Sequence, residues 1–153
     1  MSTIEQSIEI DVPVRTAYNQ WTQFEEFPRF MEGVEKVIQL DDKRLHWVAE
    51  IAGQAREWDA EITEQMPDER VAWRNIDGAT NAGVVTFHYI DDNRSKIMLQ
   101  LEFEPEGLVE KAGDVLGLVR TRTKGDLERF KSFIESRGSE TGGWRGEIEQ
   151  EKK

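Results

Sequence analysis

Residues 4–37 read IEQSIEIDVPVRTAYNQWTQFEEFPRFMEGVEKV, and this stretch decides the fold. Apolar and polar residues alternate over residues 4–11, where Ile4, Ile8 and Ile10 share one face. A period of two is typical of a strand with one buried face. The chain is therefore expected to open with a half-buried β-strand.

Two short helices are expected directly after this strand. Pro13 stands where a helical turn can begin, because the N–H that proline lacks would have no partner there. Residues 14–22 then place apolar side chains three and four positions apart, which predicts one helical face. Pro28 disfavours a continued helix, so the second helix is expected to end near Phe27.

Six further strands are predicted between the short helices and a final helix. They are separated by turn signals rich in Asp, Asn, Gly and Pro. The predicted strands cover residues 34–40, 44–51, 56–64, 70–75, 84–90 and 96–104. Several alternate clearly, as in Leu45, Trp47, Ala49 and Ile51. One apolar and one polar face is typical of an antiparallel sheet with one side in water.

The last predicted element is a long helix over residues 107–137, with Gly138 as its C-terminal stop. Gly125 interrupts its apolar stripe, where a kink or register shift is expected. Residues 1–138 therefore form one domain. The acidic tail over residues 139–153 has few apolar side chains and is expected to be disordered, with Trp144 able to pack back on the domain.

Composition restricts the partners and the compartment. The net charge is −11, whereas a nucleic-acid-binding protein needs a positive surface, so no nucleic acid partner is expected. The absence of cysteine excludes disulfides and suits a reducing compartment. Neither a signal peptide nor a transmembrane segment is recognisable, and we expect a cytoplasmic protein. The sequence does not determine the oligomeric state. A dimer through the first strand or through Trp144 is one of the open alternatives.

The quoted stretch resembles the opening of the START-like (Bet v 1-like, SRPBCC) superfamily, in particular its polyketide cyclase/dehydrase branch. The pattern VP…AY…W…F..FP.FM.GV is matched by Val12, Pro13, Ala17, Tyr18, Trp21, Phe24, Phe27, Pro28, Phe30, Met31, Gly33 and Val34. Residues 45–73 resemble the central hairpins of that branch, and the resemblance covers about residues 3–137. It implies an α+β helix-grip fold, in which a seven-stranded curved antiparallel sheet surrounds the long C-terminal helix and two short helices follow strand 1.

A curved sheet that grips a helix leaves an internal space, and such spaces are mostly apolar with a few polar groups. Aromatic residues on the expected inner faces and small residues on the helix are predicted to line it. The predicted lining is Trp47, Trp58, Phe87, Tyr89, Leu101, Phe103, Gly113, Leu116 and Gly117. For the aromatic residues the alternative is plain core filling, and for the two glycines it is close packing of the helix on the sheet.

No catalytic or metal-binding motif is recognisable, so no metal and no cofactor is expected. His46 and His88 are the two histidines, and neither has metal-ligand spacing. The three acids of residues 57–61 share one strand face, and we expect that face to point outward. Acid–base chemistry would have to use Tyr89, His88 or an inward carboxylate, and the catalytic residues stay unknown.

The leading interpretation is a module that binds a hydrophobic or amphipathic small molecule, such as a lipid, a quinone or a polyketide-like compound. A cyclase/dehydrase-type enzyme that acts on a polyketide-like substrate is the alternative, and the residues favour binding over catalysis. A third interpretation is a protein-interaction module with a vestigial cavity. The basic residues Arg120, Arg122 and Lys124 are expected on a solvated face of the helix.

Overall fold

A single antiparallel sheet of seven strands organises the chain, which a computed structural model describes over residues 2–51, 53–76, 80–104 and 109–149. The strands are β1 (Ser2–Ile10), β2 (Val34–Gln39), β3 (Arg44–Ile51), β4 (Gln54–Met66), β5 (Arg70–Asn75), β6 (Thr80–Asp91) and β7 (Arg94–Glu104). Their order is β1-β7-β6-β5-β4-β3-β2, so β1 and β2 form the two edges. The helices are α1 (Val14–Trp21), a 3₁₀ helix (Phe24–Arg29) and α2 (Val109–Arg137). The predicted helix-grip fold is confirmed.

Register shifts bend the sheet around α2. They occur between Val34 and Lys36 in β2, between Ile62 and Glu64 in β4, and near the end of β6. A bulge of this kind increases the local twist and changes which side chains face inward. In β4, Ile62 is buried and the next buried residue is Gln65, three positions further along. Simple alternation predicts steps of two.

The second half of α2 closes the core. Leu127, Phe130 and Ile134 are fully buried, as the predicted apolar stripe requires. The Phe130 ring lies 5.3 Å from that of Trp21 and 5.1 Å from that of Phe30, both in edge-on geometry. Aromatic pairs in this geometry contribute about 0.5–1.5 kcal/mol beyond the area they bury. These contacts join α2 to the segment that follows β1.

The second short helix differs from the expectation because it is a 3₁₀ helix and includes Pro28. Residues three apart lie on the same side of a 3₁₀ helix, which has three residues per turn. Phe24 and Phe27 are therefore both buried, with ring centroids 5.4 Å apart. The spacing of the phenylalanines explains why this helix type is formed.

The three acids of residues 57–61 lie on the outer face of β4, as expected. His46 of the neighbouring β3 lies opposite them, with Nδ1 2.6 Å from Asp59 Oδ1 and Nε2 3.0 Å from Glu57 Oε1. Hydrogen bonding to these two carboxylates raises the pKa of His46 above its ordinary value. The cluster is an outer-face feature of the sheet and does not face the helix.

The C-terminal tail packs on the domain over residues 139–149, although the sequence predicted disorder there. Gly138 ends α2 as predicted, with a φ of +75° that suits glycine. Further on, Ile148 is 5% exposed and pairs with Gln65 of β4 through two backbone hydrogen bonds of 2.8 and 2.9 Å. The pairing of β4 with β3 ends at Glu61, so the tail completes a strand edge that would lack backbone partners.

Arg145 links the tail to two other segments. Its Nη2 donates to Asp68 Oδ2 at 2.7 Å, and its Nη1 donates to Asn19 Oδ1 at 2.7 Å. The guanidinium also lies over the ring of Tyr18, 5.6 Å from its centroid. The tail therefore holds α1 against the β4–β5 turn.

Among the described residues, no helix has the combination of length and apolarity that a membrane span requires.

Docking of the tail is expected to stabilise the whole domain. Replacement of the buried Ile148 by aspartate places a charge in the core, so the tail should detach. Ile148→Asp should lower the free energy of unfolding by about 1–3 kcal/mol, as measured by urea denaturation. Truncation after Gly138 should lower it by a similar amount. Glu147→Asp is the control, because it changes an exposed residue of the same tail and should have no effect. An unchanged unfolding midpoint for Ile148→Asp would show that the tail does not contribute.

Candidate ligand-binding cavity

A cavity of about 200 Å³ lies between the inner face of the sheet and α2. Residues of β2, β3, β4, β5 and β7 form one wall, and residues 119–127 of α2 form the opposite wall. Trp21 of α1 and the phenylalanines of the 3₁₀ helix close one end. The cavity is therefore built by the same segments that define the fold.

Tryptophan dominates the apolar wall, which contains Trp21, Trp47, Trp58 and Trp73, four of the five in the chain. Trp47 and Trp58 are direct cross-strand partners on β3 and β4. Their rings are stacked, with centroids 5.8 Å apart and planes only 7° from parallel. Phe27 contacts Trp47 at a centroid distance of 5.6 Å and fixes its orientation. The wall thus presents large flat apolar surfaces.

Trp73 depends on a glycine in the neighbouring strand. Gly83 is its direct partner on β6, and a Cβ atom at that position would lie 2.6 Å from Cζ2 of the indole. The same Cβ atom would lie 2.9 Å from Cδ2 of Leu101. The absence of a side chain at Gly83 therefore lets Trp73 lie flat across the sheet beside the cavity.

One end of the cavity is polar. Asp126 belongs to its wall, and its Oδ1 accepts a hydrogen bond of 2.9 Å from the backbone N–H of Glu32 and another from Arg129 Nη2. Burial raises the pKa of the Asp126 carboxyl, and these hydrogen bonds oppose the rise. Asn75 and Thr123 are further polar residues of the cavity wall, and the Thr123 hydroxyl donates to Val119 O in its own helix at 2.7 Å.

Arg122 is the second charged residue that α2 brings to the cavity wall. Its Nη1 donates to the backbone oxygen of Glu50 at 2.7 Å. Gly33, with a φ of +83°, makes room for this contact, since a Cβ atom there would lie 2.6 Å from Nη1. The Nε atom is buried, and no described residue accepts a hydrogen bond from it. The guanidinium is thus positioned by the backbone and left without a carboxylate in the described part of the chain.

The predicted lining residues fall into three groups. Trp47, Trp58 and Leu101 lie on the cavity wall. Gly117 is exposed and lies off the wall, and a Cβ atom there would meet nothing within 4 Å. The side chains of Phe103 and Leu116 and the surroundings of Gly113 lie outside the described residues.

Two predicted positions, Phe87 and Tyr89, lie away from the cavity. Phe87 is buried in the core against Tyr18, at a centroid distance of 5.2 Å. Tyr89 is 63% exposed, and its hydroxyl donates to Asp92 at 2.7 Å. Tyr89 keeps the regular register opposite Ser95, but it lies at the hairpin end of β6, where its ring is exposed. Tyr89 is therefore not a candidate for orienting a ligand here.

Sequence reasoning missed the polar end of the cavity. It placed Arg122 on a solvated helix face and treated Asp126 as its flanking acid. In the structure both lie on the inner wall with Val119 and Leu127. The spacing carried the signal, because Arg122 is three positions after Val119 and Asp126 four positions further, which is one helical face. Among the described residues, no group of three acidic or histidine side chains is arranged to hold a metal ion.

The family model for polyketide cyclase/dehydrase and lipid transport matches residues 10–131. The chain belongs to this family. The predicted membership of its polyketide cyclase/dehydrase branch is thereby confirmed. A 17.2 kDa protein of Streptomyces lincolnensis, named as uncharacterised and encoded in the melC2–rnhH intergenic region, is 62% identical over 149 residues, which is 97% of this chain and 99% of that protein.

Solved structures show the same fold. The Zhui aromatase/cyclase from a Streptomyces species matches with a TM-score of 0.80 at 16% identity, covering 94% of this chain and 99% of that one. A START superfamily protein from Mycobacterium smegmatis matches with a TM-score of 0.73 at 12% identity, covering 86% and 98%. At these identities the likeness concerns the fold alone.

Two glycines are expected to respond in opposite ways to the same substitution. Gly83→Ala forces Trp73 from its place and should lower the free energy of unfolding by about 1–3 kcal/mol. Gly117→Ala adds a methyl group in open space on a helix and should raise it by up to about 1 kcal/mol. Urea denaturation of the two variants and the parent chain gives both values. An unchanged free energy of unfolding in Gly83→Ala would mean that Trp73 does not pack against Gly83.

Proposed function

We propose that this protein binds a hydrophobic or amphipathic small molecule in the cavity between the sheet and α2. The observation that carries the proposal is the tryptophan-rich wall around about 200 Å³ of internal space. Well-packed protein interiors have few voids larger than a water molecule. A space this large between aromatic side chains is better explained by a ligand than by core packing. The family description, which includes lipid transport, supports the same function.

The driving force would be the transfer of apolar ligand surface out of water, worth about 25 cal/mol per Å² before ordering costs. The parallel rings of Trp47 and Trp58 offer an extended flat contact to a fused-ring molecule or an acyl chain. Lipids, quinones and polyketide-like compounds all satisfy this requirement. The cavity also argues against a vestigial interior, which would have been filled by side chains.

Filling the cavity should abolish ligand retention. Ala49 lies on its wall, and Ala49→Phe places a ring inside the space. Ala72→Phe is the matched control, because Ala72 lies on the outer face of β5, between the inward-facing Val71 and Trp73. Native mass spectrometry with organic extraction should find a co-purified apolar molecule on the parent chain and on Ala72→Phe, and none on Ala49→Phe. Equal retention by both variants would place the ligand elsewhere, and a parent chain without any bound molecule would count against the proposal.

A cyclase/dehydrase-type activity is the second candidate, and one observation favours it. Acid–base chemistry needs a titratable group on the cavity wall, and Asp126 supplies one. Because burial raises its pKa, the carboxyl keeps its proton to a higher pH than an exposed aspartate does. It is therefore suited to donate a proton to a substrate oxygen that leaves as water.

This second candidate makes a prediction of its own. Any dehydration of a poly-β-ketone substrate should decline as the pH rises through the raised pKa of Asp126, since the acid form is then lost. Asp126→Asn keeps the acceptor for the Glu32 N–H but cannot donate the proton, and should reduce turnover by about 10²–10⁴-fold at every pH. Product analysis by liquid chromatography measures both effects. Turnover that survives in Asp126→Asn would exclude this aspartate as the acid.

A further inference from the structure

We propose that the ligand carries one anionic oxygen group and that Arg122 binds this group at the polar end of the cavity. The inference rests on the proposed function, because it concerns the same cavity. It goes further by defining the ligand as an apolar body with a carboxylate, phenolate or comparable oxygen at one end.

The first argument is that Arg122 forms no ion pair with a described residue. Among these residues, its charge is balanced only by a longer-range attraction to Asp126, which opposes the rise that burial causes in the pKa of that carboxyl. A guanidinium has five N–H donors, and the one hydrogen bond of Arg122 to a described residue is from Nη1 to Glu50 O. No carboxylate of the described residues lies within ion-pair distance of it. Nε is covered by protein atoms and has no acceptor among the described residues. A guanidinium with N–H donors that no described residue engages, beside a largely apolar wall, is a suitable partner for an anionic group on a ligand.

The second argument is that the nearby acids are already engaged by another arginine. Arg129 donates to Asp126 Oδ1 and lies 3.8 Å from Glu32 Oε2. The Glu32 side chain is also 63% exposed, so water solvates much of its charge. These two carboxylates therefore associate with Arg129, which lies about two turns further along α2 and is partly exposed. Arg122 remains available to a ligand.

The third argument is that the guanidinium is positioned in advance. The bond to Glu50 O and the space above Gly33 hold Nη1 at the sheet edge. Nη2 forms no hydrogen bond with a described residue, so it is the nitrogen left for an incoming acceptor. A donor fixed before binding loses little entropy when the ligand arrives. An oxygen at Nη2 leaves the apolar part of the molecule to extend toward Leu101 and the tryptophans.

The net charge of −11 does not prevent anion binding at this position. Charges on the outer surface are screened over about 8 Å at physiological ionic strength. The guanidinium acts on the ligand at contact distance, where one close charge outweighs many distant ones.

Two dyes with the same ring skeleton test the inference. 1-Anilinonaphthalene-8-sulfonate carries an anionic oxygen group, and N-phenyl-1-naphthylamine is the same molecule without it. Fluorescence titration should show that Arg122→Met weakens binding of the sulfonate dye about tenfold or more, as expected for loss of a charge-assisted hydrogen bond. Binding of the neutral dye should change less than twofold, because methionine preserves an apolar stem of similar length.

Three controls accompany the test. Arg120→Met removes the same charge from an exposed position two residues earlier in α2 and should leave both affinities unchanged. Arg122→Lys keeps the charge and should retain part of the preference for the sulfonate dye. Ala49→Phe should weaken both dyes, which would locate them in the cavity. Thermal unfolding of each variant confirms that it is folded.

The outcomes separate this inference from the proposed function. If Arg122→Met weakens both dyes equally, or neither, Arg122 does not recognise an anionic group and the inference fails while the cavity still binds. If Arg120→Met has the same selective effect, general electrostatics explains the preference and the inference also fails. If the parent chain binds neither dye, the proposed function and the inference fail together.

Discussion

The structure depends on the contact of Phe130 with Trp21 and Phe30. This aromatic cluster fixes the second half of α2 on the segment after β1, where Leu127 and Ile134 add further buried surface. Because the helix is anchored there, its residues around Val119 face an open space lined by strand side chains instead of packing on them. The cavity is thus a direct consequence of where α2 is held. The tail reinforces the same end of the molecule by binding α1 and the edge of β4.

Within the cavity, the two arginines of α2 have different roles. Arg129 neutralises the nearby carboxylates and is partly exposed, whereas Arg122 lies on the inner wall with one backbone partner. This division gives an apolar chamber with one polar end, an arrangement that orients a molecule as well as retaining it. The same end holds Asp126, so a binding protein and an enzyme could share this geometry. A binding protein releases the bound molecule unchanged, whereas an enzyme releases a product.

Much of the fold could be predicted from the sequence because alternation and turn residues are local signals. The bounds of β3 and β5 were predicted to the residue, and strand alternation placed Trp47, Trp58 and Leu101 inward. The failures occurred where a distant contact decides the outcome. Tyr89 lies at the hairpin end of β6, where distant segments leave its ring exposed, and the tail pairs with a strand edge that lies far away in sequence. Arg122 and Asp126 looked like surface residues because charge, taken alone, predicts exposure.

The most direct test of the central claim is a crystal structure of the protein grown with N-phenyl-1-naphthylamine. This account predicts density for the dye inside the cavity. The stacked rings of Trp47 and Trp58 should lie on one side of the dye, and Val119 and Leu127 of α2 on the other. We also expect little movement of the surrounding backbone, because the space already exists. Density for the dye on the outer face of the sheet, or an inner space closed by rearranged tryptophans, would contradict the claim that this cavity is a ligand site.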